Sequence, residues 1–235
     1  ELIGSAAVFT GGELAGERAS HCGWCTTNGF DRTLRGLFVM RGASRTAATA
    51  SKVLSWGAVP ALAVVGIVAP AMEADSARFA LQDSVILLSS LLLETGVTQG
   101  TKKLADRRRP GFHYGRAEET EAHDQPEEEF ASFYSGDTAW AFTAVSASTT
   151  LAVQRGYWTA PYIATLGGGL ALGTGILRIS ADMHWATDVL SGAAVGTAVG
   201  IGVPALLHPR RGGTTVAMLP SVSSKHVILV VSGTF

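Results

Sequence analysis

Long apolar stretches recur along the chain and are separated by short polar segments. Five of these stretches lie at 54–72, 79–98, 138–153, 158–177 and 189–207. The first, fourth and fifth carry no charged side chain and approach the roughly 20 residues that a helix needs to cross a bilayer. The second contains Asp83 and Glu94, and the third is short and rich in Ala, Ser and Thr. This pattern favours an all-α fold, a polytopic helical membrane bundle of about five spans, over a soluble bundle with buried helices.

The segments that flank the spans have other patterns. Residues 1–30 are rich in Gly, Thr and Ser without periodicity, which predicts an irregular N-terminal arm. Residues 31–50 alternate apolar side chains with arginines, as in an amphipathic helix at a membrane surface or a soluble helix with a basic face. Near the other end, the β-branched run Val227–Val231 predicts a short C-terminal β-hairpin at 214–233. The predicted domains are the arm with its interfacial helix at 1–52, the helical membrane domain at 53–209 and the tail at 210–235.

The composition supports a membrane protein and gives no reason to expect nucleic acid. Of the 235 residues 47% are hydrophobic and only 16% are charged, and the formal net charge is -1. Basic side chains occur in a few clusters and do not form a stripe, so we expect membrane lipids and no nucleic acid as partners. The acidic tract at 111–131 is typical of a solvated loop, with metal or polycation binding as the alternative.

The two cysteines, Cys22 and Cys25, have the C-x-x-C spacing. This spacing occurs in local disulfides, redox pairs and half zinc sites. No second pair completes a zinc site, and no strand-and-helix pattern typical of thioredoxins surrounds the motif. A disulfide and two free thiols both remain open.

Three polar stretches lie at the ends of the predicted spans, and alternating passes place them on one face of the membrane. They are KKLADRRRP with Lys102 and Arg109, YSGD with Ser135 and Gly136, and RISADMHWATD with Arg178, His184 and Asp188. Cationic side chains and backbone N–H groups at a helix start can neutralise a phosphoryl group. His184 and Asp188 are four residues apart, so we expect the carboxylate to accept an imidazole N–H and orient the nucleophile. The set predicts phosphoryl transfer to water through a phosphohistidine, without a metal or cofactor.

These motifs, K-x6-R-P, then S-G-H, then R-x5-H-x3-D, resemble those of the type 2 phosphatidic acid phosphatase superfamily. That superfamily also contains class A acid phosphatases and vanadium haloperoxidases. The resemblance covers about residues 79 to 207. It implies that His184 is the nucleophile and Asp188 its partner, within a phosphate cradle of Lys102, Arg109, Ser135, Gly136 and Arg178.

The chain departs from the family pattern at three positions. Leu177 and Tyr134 replace a usual Ser and Pro at the margins of the motifs, whereas Asp137 replaces the histidine that protonates the leaving group. A neutral Asp137 would deliver that proton as a catalytic acid. An ionised Asp137 would repel phosphate unless a neighbouring cation neutralised it, and the candidates are Lys103, Arg108 and Arg109. We therefore expect catalysis to be weakened, moved toward acid pH or lost, and halide oxidation to be disfavoured.

Two functions follow from this resemblance. The first is a membrane-bound phosphatase that hydrolyses a lipid phosphate or polyprenyl diphosphate. The second is a weakened or inactive accessory or structural subunit of a membrane complex. Lipid phosphatases of this family face the periplasm or lumen, so we expect a bacterial inner-membrane protein with a periplasmic site. Arg210 and Arg211 after the last span agree with this orientation under the positive-inside rule, whereas Arg45 and Lys52 oppose it.

Overall fold

The helices of the protein pack against one another in a bundle. The computed structural model describes residues 7–9, 22–124, 126–207, 216–223 and 226–233. The helices are α1 (Gly29–Phe38), α2 (Ser44–Val53), α3 (Val59–Glu73), α4 (Ala77–Ala105), α5 (Pro110–His113), α6 (Gly136–Arg155), α7 (Ala160–Tyr162), α8 (Gly168–Ser180) and α9 (Ala186–Leu207). Short 3-10 turns occupy Ala117–Glu119, Glu121–Asp124 and Pro126–Glu128 in the acidic tract.

Four helices among the described residues are long and apolar enough to cross a membrane. A π-helical segment, Leu54–Ala58, joins α2 to α3, and a second one, Ile163–Gly167, joins α7 to α8. The four candidates are Ser44–Glu73, Ala77–Ala105, Ala160–Ser180 and Ala186–Leu207. Large apolar side chains on their outer surfaces, such as Val65 and Leu190, are exposed and suited to lipid. These features identify an integral membrane protein.

The predicted span at 138–153 corresponds to α6, which lies at the centre of the bundle and is less apolar than the others. It contacts α3, α4, α8 and α9. Its buried side chains are mostly Ala, Ser and Thr. A helix surrounded by protein does not need a strongly apolar surface, which explains why its sequence is the weakest membrane signal of the five.

Glycines of α9 allow close contact with α6. A Cβ atom added at Gly192 would lie 2.6 Å from the Ser135 carbonyl oxygen, and one at Gly200 would lie 2.7 Å from the Thr143 oxygen. At Gly196 the added atom would overlap the backbone of Ala139. This contact brings the start of α6 against the start of α9, where the Ser135 N–H donates to the Asp188 carbonyl over 3.1 Å.

The single amphipathic helix predicted at 31–50 is wrong. Two helices, α1 and α2, cover this segment, because the chain turns at Gly42, which has the left-handed φ of 76° that glycine tolerates. The arginines of this segment were predicted to face a membrane surface or solvent, and Arg35 does neither. Its guanidinium is buried and donates to both carboxylate oxygens of Asp182, each over 2.6 Å, so this face of α1 packs against protein.

Three short strands, β1 (Ala7–Phe9), β2 (Val216–Ser223) and β3 (His226–Gly233), form an antiparallel sheet in the order β1-β3-β2. Residues 224–225 between β2 and β3 and residues 214–215 lie outside the described residues, as do 1–6 and 10–21 of the N-terminal arm. β2 and β3 lie inside the predicted hairpin at 214–233, but its turn and its first two residues are not described, so the hairpin with these bounds stays a prediction.

Candidate active site

A cavity of about 260 Å³ lies where the C-terminal ends of α4 and α8 meet the start of α6. Six of the predicted site residues line it, namely Lys102, Arg109, Gly136, Asp137, Arg178 and His184. Ser135 and Asp188 are buried behind this lining. The hydroxyl of Ser135 shares a hydrogen bond of 2.8 Å with Thr138 Oγ1 and makes no side-chain cap bond to the backbone of α6.

Three cations of the cavity come from different elements. Lys102 lies in the last turn of α4 and Arg178 in the last turn of α8, where the helix dipole favours positive charge. Arg109 follows α4 directly and is 1% exposed. Within the described residues, Nε of Arg178 has no hydrogen-bond partner, although it lies 3.2 Å from Asp137 Oδ2. Buried, incompletely paired cations make the cavity suited to an anion.

His184 lies in the turn between α8 and α9, and its ring is held by a backbone carbonyl. Nδ1 is 2.8 Å from the Ser132 carbonyl oxygen, which can only accept, so Nδ1 carries the proton and Nε2 keeps a lone pair. Burial lowers the pKa of His184 well below its usual range, and the positive charges of Arg109 and Arg178 lower it further. The imidazole is therefore neutral at neutral pH, as a nucleophile requires.

The expected hydrogen bond from His184 to Asp188 is absent among the described contacts. Nδ1 lies 3.8 Å from Asp188 Oδ2, which is beyond hydrogen-bond distance, because His184 precedes α9 and does not share its helical face with Asp188. Asp188 Oδ2 instead accepts from Ser132 Oγ over 2.6 Å. It also accepts from the Trp185 N–H over 2.9 Å, and this second bond caps the start of α9. Asp188 thus orients His184 through Ser132, whose carbonyl accepts the imidazole proton.

Asp137 is held by groups other than those expected. Oδ1 accepts from Trp56 Nε1 over 2.8 Å, and Oδ2 lies 3.2 Å from Arg178 Nε. Two of the expected neutralising cations pair elsewhere: Arg108 with Glu129, and Arg109 with Glu128. The cation beside Asp137 is Arg178, a predicted cradle residue.

The acidic tract does not behave as a purely solvated loop, because two of its carboxylates reach the cavity. Glu121 and Glu128 line it and pair with Lys52 and Arg109. Arg109 Nε also donates to the Glu128 carbonyl oxygen over 2.9 Å. Burial lowers the pKa of Arg109, and the Glu128 carboxylate partly opposes that effect. Part of the positive charge of the cradle is thus neutralised by the loop.

Three charged residues of this region were not among the predicted site residues. Glu94 is 1% exposed, lines the cavity and accepts from Thr98. A carboxylate inside an apolar span is a functional signal that could have found it. Arg107 and Asp31 are fully buried and paired, although 76 residues separate them. Arg107 was visible only as a neighbour of Arg109, and no pattern marks Asp31.

The N-terminal arm reaches the site beside Arg107. Cys22 and Cys25 form a disulfide in the structure. Trp24 between them stacks on the Arg107 guanidinium at 3.9 Å from ring centre to Cζ. The Trp24 N–H donates to the Asp106 carbonyl, and the Arg108 N–H donates to the Trp24 carbonyl, each over 3.3 Å. The segment around the disulfide is thus fixed to the segment that carries the cradle arginine.

Comparison with known proteins gives one finding for this arrangement. The model of the PAP2 superfamily matches residues 83–211, a range that contains all the predicted catalytic and cradle residues. The searches of curated proteins and of solved structures found no match.

Proposed function

The chain belongs to the PAP2 superfamily, and we propose that it is a membrane-bound phosphatase that hydrolyses a lipid phosphate or polyprenyl diphosphate. The observation that carries the proposal is the state of His184. Its Nδ1–H donates a hydrogen bond to the Ser132 carbonyl, which leaves the lone pair on Nε2, and His184 lines a cationic cavity. That combination suits attack on phosphorus.

The reaction would proceed in two displacements. Nε2 of His184 forms a bond to phosphorus as the bond from phosphorus to the leaving oxygen breaks. That oxygen takes a proton from Asp137 when Asp137 is protonated and from solvent water otherwise. Water then attacks the phosphohistidine and breaks the phosphorus–nitrogen bond, which releases phosphate and neutral imidazole, while the proton lost by the water passes to solvent. Lys102, Arg109 and Arg178 would neutralise the equatorial oxygens, and the N–H groups at the start of α6 would add donors. Asp137 can supply the leaving-group proton only while it is protonated.

The lipid nature of the substrate is supported by the wall of the cavity. Trp56 and Trp140 line it and stack with ring centroids 4.5 Å apart, and Trp56 is exposed on the outside of the bundle. An indole pair at a polar cavity suits a molecule with a charged head and an apolar tail. We also infer that α6 is a fifth pass, since the site uses the ends of α4 and α8 and the starts of α6 and α9. A periplasmic site in a bacterial inner membrane fits this arrangement.

A second function is favoured by the pairing of the cradle. Asp137 lies beside Arg178, and Glu128 pairs with Arg109, so two of the three cradle cations face carboxylates of the chain. A phosphate dianion must compete with both. Such a site suits a weakened or inactive homologue that acts as an accessory subunit of a membrane complex.

Phosphate release from purified protein in detergent separates the two functions. We expect the wild type to release phosphate from a lipid phosphate or a polyprenyl diphosphate and His184→Ala to release none, because the nucleophile is gone. His123→Ala, at an exposed histidine of the acidic loop, is the matched control and should retain activity. If wild type and His184→Ala are equal from about pH 4 to about pH 8, the enzyme proposal is wrong. Co-purification with a larger complex would then support the accessory role.

A further inference from the structure

A buried charge network behind the cavity links α1 to the helix that follows His184. Its charged members are Asp31, Arg107 and Asp188, and each is at most 1% exposed. Asp31 belongs to α1, outside the residues 83–211 that match the family. The network therefore includes a part of the chain for which the family match offers no counterpart.

Direct hydrogen bonds join the three charged groups of this network, although Nε of Arg107 has no hydrogen-bond partner among the described residues. Asp31 Oδ2 accepts from Arg107 Nη2 over 2.7 Å and from Thr187 Oγ1 over 2.9 Å, and Oδ1 accepts from the Thr187 N–H over 2.8 Å. The other terminal nitrogen, Arg107 Nη1, donates to Thr187 Oγ1 over 2.7 Å and to Asp188 Oδ1. Arg107 thus joins two carboxylates by its two Nη groups.

We propose that Asp31 and Arg107 are positioning residues for His184, so that α1 forms part of the active site. The path is continuous: Asp31 holds Arg107, Arg107 holds Asp188, Asp188 holds the Ser132 hydroxyl, and the Ser132 carbonyl holds His184 Nδ1. The effect on turnover rests on the proposed phosphatase function, whereas the effect on the imidazole does not.

The charge balance gives the two residues opposite effects on His184. On the cavity side the imidazole faces the cations Lys102, Arg109 and Arg178. The other charged side chains of the same lining are Lys52, Glu94, Glu121, Glu128 and Asp137. Behind the imidazole lies Asp188, which is backed by Arg107 and Asp31. The network behind carries two negative charges and one positive charge. Removing the charge of Asp31 makes it neutral and disfavours the imidazolium. Removing the charge of Arg107 leaves two carboxylates and favours the imidazolium.

Arg35, on the same helix, provides a control for the possibility that α1 acts only by packing against the bundle. Arg35 donates to both oxygens of Asp182, so it fixes α1 to the turn before His184, but its two hydrogen bonds end at Asp182. Arg35→Gln should therefore loosen the helix without changing the charge that acts through Asp188. Arg107→Lys keeps the charge of Arg107 and loses its two-pronged geometry.

The test is ¹⁵N NMR of histidine-labelled protein in detergent, with His184 assigned by its absence in His184→Ala. We expect Arg107→Gln to raise the pH at which His184 titrates by about one unit and Asp31→Asn to lower it. Arg107→Lys and Arg35→Gln should leave it near the wild-type value. In phosphate-release assays Asp31→Asn should lose about tenfold in kcat/KM, a typical cost for a partner that orients a functional group.

The positioning role is wrong if Asp31→Asn and Arg107→Gln move the His184 titration in the same direction or not at all. The positioning role is also wrong if Arg35→Gln shifts the pH at which His184 titrates as far as these two variants do. If a charge variant does not fold, Ser132→Ala decides, because it keeps all three charges of the network and removes the hydroxyl that Asp188 holds, next to the carbonyl that accepts from His184 Nδ1. Unchanged His184 signals in that variant would contradict the proposal. If no protein releases phosphate, the phosphatase function fails while the NMR result still tests the network.

Discussion

Asp137 stands at the position where the S-G-H motif of the sequence analysis predicts a histidine. Its carboxylate accepts from Trp56 and lies beside Arg178, so it takes up part of the positive charge that a phosphate would use. Its place in the first turn of α6 adds the helix dipole to these contacts. If the protein is the phosphatase that we propose, we expect Asp137 to weaken catalysis in two ways: by weakening the anion site and, while ionised, by supplying no proton to the leaving group.

Replacing Asp137 separates these two costs. Asp137→His should raise kcat about tenfold or more at neutral pH, because an imidazole can protonate the leaving group near its own pKa. Asp137→Asn removes the charge without adding an acid, so it should lower KM and leave kcat nearly unchanged. Both constants are measured by phosphate release from a lipid phosphate. If the kcat of Asp137→His equals that of the wild type, then the lack of a proton donor is not the cause of weak turnover.

At the scale of elements, the contact between α6 and α9 decides where the candidate active site forms. The glycines at 192, 196 and 200 repeat every four residues on one face of α9 and admit the backbone of α6. The hydroxyl of Thr143 also donates to the Gly196 carbonyl over 3.1 Å. This approach places Ser135 and Asp188 in contact and sets the turn that holds His184.

A larger side chain in this contact should destabilise the protein. Gly196→Val would push α9 away from Ala139 and should lower the free energy of unfolding in detergent by about 1 to 3 kcal/mol, the usual cost of overpacking. Gly202→Val is the matched control in the same helix, because an added Cβ there meets open space. Denaturant titration followed by tryptophan fluorescence measures both. Equal losses in the two variants would mean that helix propensity, and not packing, is responsible.

At the scale of the whole molecule, burial of a neutral histidine makes stability depend on pH. The pKa of His184 is well below its usual value of 6.5 in the folded protein because of burial, whereas the unfolded chain protonates it near that value. Below about pH 6.5 the unfolded state therefore binds more protons than the folded state. The stability that the neutral histidine contributes is present above this pH and is lost as the pH falls toward the folded pKa.

The contribution of His184 can be measured by comparing how the free energy of unfolding changes with pH in the wild type and in His184→Gln. Between about pH 6.5 and about pH 4.5 the free energy of unfolding of the wild type should fall by at least about 1 kcal/mol more than that of His184→Gln. The reason is that each unit of pKa difference between the folded and unfolded states is worth about 1.4 kcal/mol. Thermal or denaturant unfolding in detergent at several pH values gives both slopes, and the carboxylates common to both proteins cancel in the difference. Parallel slopes would show that His184 is not buried as a neutral group.

The sequence by itself determined the membrane bundle and the family, because uncharged stretches of bilayer length and three ordered motifs are local patterns. These patterns also named six of the residues that line the cavity. Only the tertiary structure decided which groups pair with which. In the folded protein His184 donates to the Ser132 carbonyl, and Asp137 contacts Arg178 and Trp56. Arg107 pairs with Asp31, which is 76 residues away. Partners so far apart in the chain leave no periodic signal, since the geometry that joins them exists only after the helices have packed.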